Sequence, residues 1–210
     1  MQFADPRTDF AFKLIFGNEQ AKEVLISFLN AVLGLEGAHA IVDVRILDPY
    51  QAPKIPTLKY SFLDVKCRDS RGVEFVVEMQ VQYTEGFKKR VQYNACKAYV
   101  GQIPSGVDYP RLNQVIAITI VDFMMFPEFD HYLSCHEFRE IVTNNCYLDE
   151  IRHYFIELPK FKLAEVELET AIEKWCYFLK HAGATERGAM LAGVWACQPR
   201  EHDQGRMGSV

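Results

Sequence analysis

Apolar residues first recur at helical spacing in residues 8–33, where Val24, Leu25, Phe28, Leu29 and Val32 keep an i, i+3, i+4 rhythm that Gly34 stops. Gly17 and Asn18 split this stretch into two predicted helices. The period then changes. IVDVRIL (41–47) alternates like a strand, and PYQAPKIP (49–56), with its three prolines, interrupts regular structure. SFLDVKC (61–67) and VEFVVEMQV (73–81), joined by DSRG, form the clearest hairpin in the chain. Residues 86–102 return to a helical pattern, and NQVIAITIV (113–121) is a short β-branched run that predicts a buried strand. The order helix, strand, strand, strand, helix, strand predicts an α/β fold with one mixed central sheet flanked by helices.

Further on, HYFIELPK (153–160) predicts a short strand, 164–181 a helix, and the stretch around 130–136 a partly buried aromatic-rich helix. After Gly183 small residues and glycines replace any sustained apolar period. The expectation is an organised domain over 1–182 and a poorly ordered tail over 183–210, whose change of character fits a truncation or a frameshift.

Composition narrows the function classes. A chain of 210 residues has room for one sizeable domain, and 49% hydrophobic with 24% charged residues excludes a disordered or fibrous chain. The net charge of −5 excludes coating nucleic acid by bulk charge, so any DNA contact needs a local basic patch. The longest apolar run, 115–121, is stopped by Asp122, and the start of the chain lacks a basic segment followed by an apolar one. A cytoplasmic protein with no membrane partner is expected. Six cysteines without a CxxC pair read as free thiols in a reducing compartment, several of them small core residues.

The hairpin holds the candidate chemistry. Strand periodicity puts Val73, Phe75, Val77, Met79 and Val81 on one face and Glu74, Val76, Glu78 and Gln80 on the other. A three-residue turn of Ser70, Arg71 and a left-handed Gly72 pairs Asp69 with Val73 and sets Asp64 opposite Glu78. Like charges so placed repel, and a cation between them relieves the repulsion; oxygen ligands suit Mg²⁺ or Mn²⁺. The plainer reading is a solvated face shared with Lys66.

Asp64 followed by Glu78, Met79 and Gln80 on the next strand resembles the PD-(D/E)XK nuclease core, with Gln where Lys is usual. More closely, the chain resembles the PD-(D/E)XK nuclease family transposases. The matching pieces are TDFAFKLIFG (8–17), FLDVKCRDSRGVEFVVEMQ (62–80), KKRVQYNACKAYVGQI (88–103), IELPKF (156–161) and EKWCYFLKHA (173–182). The resemblance implies a restriction-endonuclease-like PD-(D/E)XK core and a divalent-metal-dependent DNA endonuclease serving recombination or transposition. Asp64 and Glu78 would ligate Mg²⁺ or Mn²⁺, and Gln80 would take the position of the catalytic Lys. Asp9 would be the family's N-terminal acidic residue; its alternative is an exposed i, i+4 ion pair with Lys13. An amide orients water or phosphate but brings no positive charge, so the metal would carry more of the stabilisation.

The segment Lys88, Lys89, Arg90, Tyr93 and Lys97 supplies the basic patch, with Arg90, Asn94 and Lys97 on one helix face able to grip a DNA backbone. Its alternative is a solvated charged helix surface. His131 and Cys135, near Asp130 and His136, have the i, i+4 spacing of a zinc pair without a second pair. Trp175, Tyr177 and Phe178 look like a packing face. The rival to the enzyme is a catalytically degenerate DNA-binding or protein-interaction module on the same fold, and a homo-oligomer is compatible with either.

Overall fold

The structure is a computed structural model and describes residues 5–51, 59 and 61–184. Helix α1 (Asp9–Phe16) starts at Thr8, whose hydroxyl accepts from the Ala11 amide, and α2 (Lys22–Leu33) ends where Gly34 turns left-handed. Strand β1 (Val44–Leu47) follows, then a two-stranded ribbon of β2 (Tyr50–Gln51) and β3 (Ser61–Phe62). The hairpin is β4 (Val65–Asp69) and β5 (Glu74–Gln80). After it come α3 (Phe87–Gly101), β6 (Val115–Val121), β7 (Leu133–Phe138), β8 (Leu148–Glu157) and α4 (Ala171–His181).

Six strands form one mixed sheet in the order β1-β4-β5-β6-β8-β7, in which β5, β6 and β8 run parallel and the outer pairs antiparallel. The fold is thus the mixed α/β arrangement expected, consistent with a PD-(D/E)XK core. On one face Phe12, Phe16, Phe28, Leu29 and Trp175 of α1, α2 and α4 pack on Val65, Cys67, Phe75, Val77, Ile118 and Ile156. On the other, α3 covers the sheet through Ala95 and Ala98 against Val76 and Ala117, and through Phe87 and Val91 against Val121 and Phe155. β6 lies in the middle with all seven residues buried, which is why its sequence is an unbroken apolar run.

The hairpin has the register the turn predicts. Val65 stands opposite Val77 and Cys67 opposite Phe75, and the Asp69 amide donates to the Val73 carbonyl at 3.0 Å. Gly72 has φ +92°, and a Cβ there would lie 2.6 Å from Asn113 Oδ1, so the turn requires glycine twice over.

Several expectations are corrected. SFLDVKC is not one strand: Ser61 and Phe62 pair with β2, the Leu63 amide donates to the Pro49 carbonyl, and the main-sheet strand resumes at Val65. The stretch read as an aromatic-rich helix near 130–136 is largely β7, held by backbone pairing to β8. β8 is correspondingly longer than 153–160, and it stops at Glu157 because Pro159 opens a short 3₁₀ turn. The last helix starts at Ala171, not 164, behind a capping box of Thr170 and Glu173. Because the chain is extended at Cys135, it lacks the helical proximity to His131 that a zinc pair needs; the His131 ring stacks on Phe129 instead. Among the described residues Cys67, Cys96, Cys135, Cys146 and Cys176 are free, with Cys67 and Cys176 in the core. No helix among them is long and apolar enough to cross a membrane. Residues 185–210 of the expected tail lie outside the described residues.

Candidate functional site

Asp64 sits at the bend where the chain leaves the β2–β3 ribbon and enters the main sheet. β4 begins one residue later, and the Asp64 side chain takes up a β5 backbone donor there: Oδ2 accepts from the Met79 amide at 2.8 Å. This bond fixes the carboxylate beside β5 and next to Glu78.

Strand alternation carries Glu78 and Gln80 to the α3 side of β5, and helix periodicity brings two α3 residues over them. Asn94 Nδ2 donates to Glu78 Oε1 at 2.8 Å, and Arg90 Nη2 donates to Gln80 Oε1 at 2.6 Å. One turn further, Lys97 Nζ donates to the carbonyls of Gln51 and Lys59, both at 2.6 Å. Arg90, Asn94 and Lys97 at i, i+4 and i+7 therefore form a polar seam running from the strand end to the ribbon. Gln80 Nε2 donates to the Gln82 carbonyl at 2.8 Å, so the Gln80 amide is held at both ends.

Helix α1 closes the other side. Lys13 Nζ is 2.6 Å from Asp9 and 3.9 Å from Asp64 Oδ1, so one ammonium lies near two carboxylates. Burial pushes the Asp64 carboxyl above its usual range; the Met79 amide and Lys13 oppose this, and Asp9 adds to it. Burial, then the neighbouring Asp64, pushes Glu78 up to about 7, against the hydrogen bond from Asn94 and the charge of Arg90.

The structure thus brings Asp64, Glu78, Gln80 and Arg90 together, with Asp9 at the edge through Lys13. It places the remaining basic-patch residues elsewhere. Lys88 and Lys89 are exposed on the first turn of α3, with Lys88 Nζ 4.6 Å from the centre of the Phe126 ring. The Tyr93 hydroxyl donates to the Lys59 carbonyl at 3.2 Å, so Tyr93 and Lys97 both brace the ribbon. Lys66, which the plainer reading placed on a shared solvated face, pairs with the buried Glu74 at 3.0 Å. Asn94 is the partner that sequence reasoning passed over: its position beside Arg90 on the helix face was legible, its contact with Glu78 was not.

Two pressed carboxylates fit a hard divalent cation that keeps much of its own water. One oxygen of each is committed, Asp64 Oδ2 to the Met79 amide and Glu78 Oε1 to Asn94, and burial is the main cause that raises the titration of both groups, with Asp64 adding to it at Glu78. Among the described residues no three His, Cys, Asp or Glu side chains gather into a complete cage, so such an ion would be held mainly by this pair.

A family model described as PD-(D/E)XK nuclease family transposase matches residues 6–193 of the chain. No curated protein and no solved structure matches significantly.

Proposed function

The chain belongs to the PD-(D/E)XK nuclease family transposases, and from that premise we propose that it is a divalent-metal-dependent DNA endonuclease acting in recombination or transposition. The observation that carries this reading is the nearness of Asp64, at the bend before β4, to Glu78 of β5, each pressed above its usual pKa by burial. Asp64 and Glu78 would hold Mg²⁺ or Mn²⁺, with Asp9 contributing through Lys13 at the edge of the site. When bound, the ion supplies Lewis acidity for phosphodiester hydrolysis.

The chain's own residues do the rest. Gln80 stands where the broader nuclease pattern has Lys, and its amide orients water or phosphate without bringing charge. Arg90, hydrogen-bonded to Gln80, carries a cation to that spot and stabilises negative charge building on the phosphate. Lys88 and Lys89, exposed on the same helix, hold the DNA backbone.

The test is cleavage of plasmid DNA by the purified protein. Nicking or cutting with Mg²⁺ or Mn²⁺ is expected, with none in EDTA and a loss of at least ~10³-fold in Asp64→Ala. Undiminished cutting by that variant would sink the assignment. The engagement of both ends of the Gln80 amide favours one second reading, a degenerate module on the same fold. That module would bind DNA in EDTA and leave it uncut with every metal.

A further inference from the structure

A second group of cations lies on the α3 side of the sheet, on its β1 edge. Ile46 and Cys67 turn toward the core with Phe75, so alternation lines up Arg45, Arg68 and Glu74 as one row on the opposite face. Lys66 shares that face, two residues from Arg68. Glu74, 1% exposed, holds both neighbours: Arg68 Nη2 donates to its Oε1, and Lys66 Nζ lies 3.0 Å from its Oε2. One buried carboxylate thus serves two cations, and a third, the exposed Arg45, stands directly across the strands from Arg68. Like charges so opposed destabilise a sheet. Among the described residues no ion pair reaches Arg45, and Arg68 Nε is buried without a hydrogen-bond acceptor.

An anion answers all three features. It separates the opposed guanidinium groups, matches the excess of three cations over one carboxylate, and supplies acceptors where a buried donor lacks one. Two guanidinium forks suit a phosphate, whose oxygens accept from both at once. Glu74 fixes Arg68 in place beforehand, so little ordering is left to the ligand. Position identifies which phosphate. Arg68 is four residues from Asp64, at most roughly 14 Å along an extended chain. Phosphates recur about every 3.4 Å along each strand of a duplex, so one duplex seated at the carboxylate pair also reaches the row. Arg90, with Lys88 and Lys89 before it, approaches the pair from the Gln80 end of β5, and Arg45 and Arg68 stand at its Glu74 end. The carboxylates therefore lie between two cation groups. We propose that Arg45 and Arg68, backed by Lys66, form a second phosphate site that holds the DNA backbone several base pairs from the cut. The identity of the ligand rests on the nuclease reading, and the site adds a contact which that reading does not require.

Two measurements on the full chain test it: binding of a duplex of about 30 base pairs at several salt concentrations, and urea denaturation with inorganic phosphate or chloride at equal ionic strength. Arg45→Ala is expected to weaken binding on the order of 10-fold and to flatten the log–log salt slope by about 0.9. Arg45→Glu should weaken binding further and yet unfold no more readily than the parent, because it relieves the opposed charges. An Arg45 that served only the fold would lose stability and binding together, which would overturn the proposal. Inorganic phosphate should raise the urea midpoint of the parent more than that of Arg45→Ala. Unchanged affinity and slope in both variants, with a parent that binds and cuts DNA, would overturn this site and leave the nuclease reading standing. A parent that neither binds nor cuts DNA would remove that reading and this site's ligand with it. Equal phosphate shifts in parent and Arg45→Ala would overturn the row as an anion site whatever the DNA result.

Discussion

At the scale of single residues the site is a balance between burial and charge. Glu78 titrates at about 7 in the folded protein against an ordinary 4.5, so between these values the folded state keeps a proton that the unfolded chain has released. Stability therefore falls as pH rises through that window, by about 1–3 kcal/mol, and Asp64 contributes in the same direction. Glu78→Gln should remove this penalty. In EDTA at pH 8 its urea midpoint should lie above that of the parent, and its stability should vary less between pH 5 and 8; a lower midpoint at pH 8 would show that the ionised carboxylate is stabilising. The hairpin register, Val65 opposite Val77, was legible in the sequence because a three-residue turn with left-handed Gly72 sets it; the bend that puts Asp64 outside β4 was not. The bond from Asn94 to Glu78 and the long reach of Lys97 were not, because they depend on how far and at what angle a helix crosses a sheet.

At the scale of elements, α3 divides its labour along its length. Its first turn leaves Lys88 and Lys89 exposed to solvent, and its middle faces the carboxylates. Lys97 further along is committed to two backbone carbonyls of the ribbon. We therefore expect Lys88→Ala with Lys89→Ala to weaken DNA binding and to flatten the salt dependence by about 0.9 per lost phosphate contact. Lys97→Met should instead lower stability by about 1–3 kcal/mol and leave the salt slope alone, as binding isotherms at several salt concentrations and urea denaturation would show. The helices flanking the sheet were legible from their apolar period, and the late start of α4 is written in Thr170 and Glu173, a capping box that outweighs the loose pattern before it. β7 was not legible. Its residues lack a clean alternation, and what makes them a strand is a β8 partner reached through the turn that closes the hairpin.

At the scale of the whole molecule, a buried ion pair ties the end of β8 to the segment that follows its neighbour β6. Lys160 Nζ lies 2.6 Å from Glu157 Oε1, donates to the Phe126 carbonyl at 2.7 Å and stands 3.9 Å from the centre of the Phe129 ring. Glu157 Oε2 in turn accepts from the Met125 and Phe126 amides. The segment after β6 is thereby fastened to the end of β8, and Phe126 from it lies beneath Lys88 of α3. Glu157→Gln leaves the Lys160 charge buried without its counter-ion, so a loss of about 3–5 kcal/mol in equilibrium unfolding is expected. Nothing in the sequence distinguishes this pair from the i, i+3 pairs that face solvent.

The net charge of −5 takes a different meaning once it is mapped. Part of it is the carboxylate pair under α3, and part lies on the tip of the β7–β8 hairpin, while Arg90 of α3 stands beside the pair. The most direct measurement is calorimetric titration of Mn²⁺ into the unaltered protein, Asp64→Asn and Glu78→Gln. One ion per chain, with affinity falling as pH drops below about 7 and binding lost in both variants, is the predicted result. Failure of the unaltered chain to bind Mn²⁺, or unchanged binding in either variant, would contradict the assignment of Asp64 and Glu78 as the metal-holding pair.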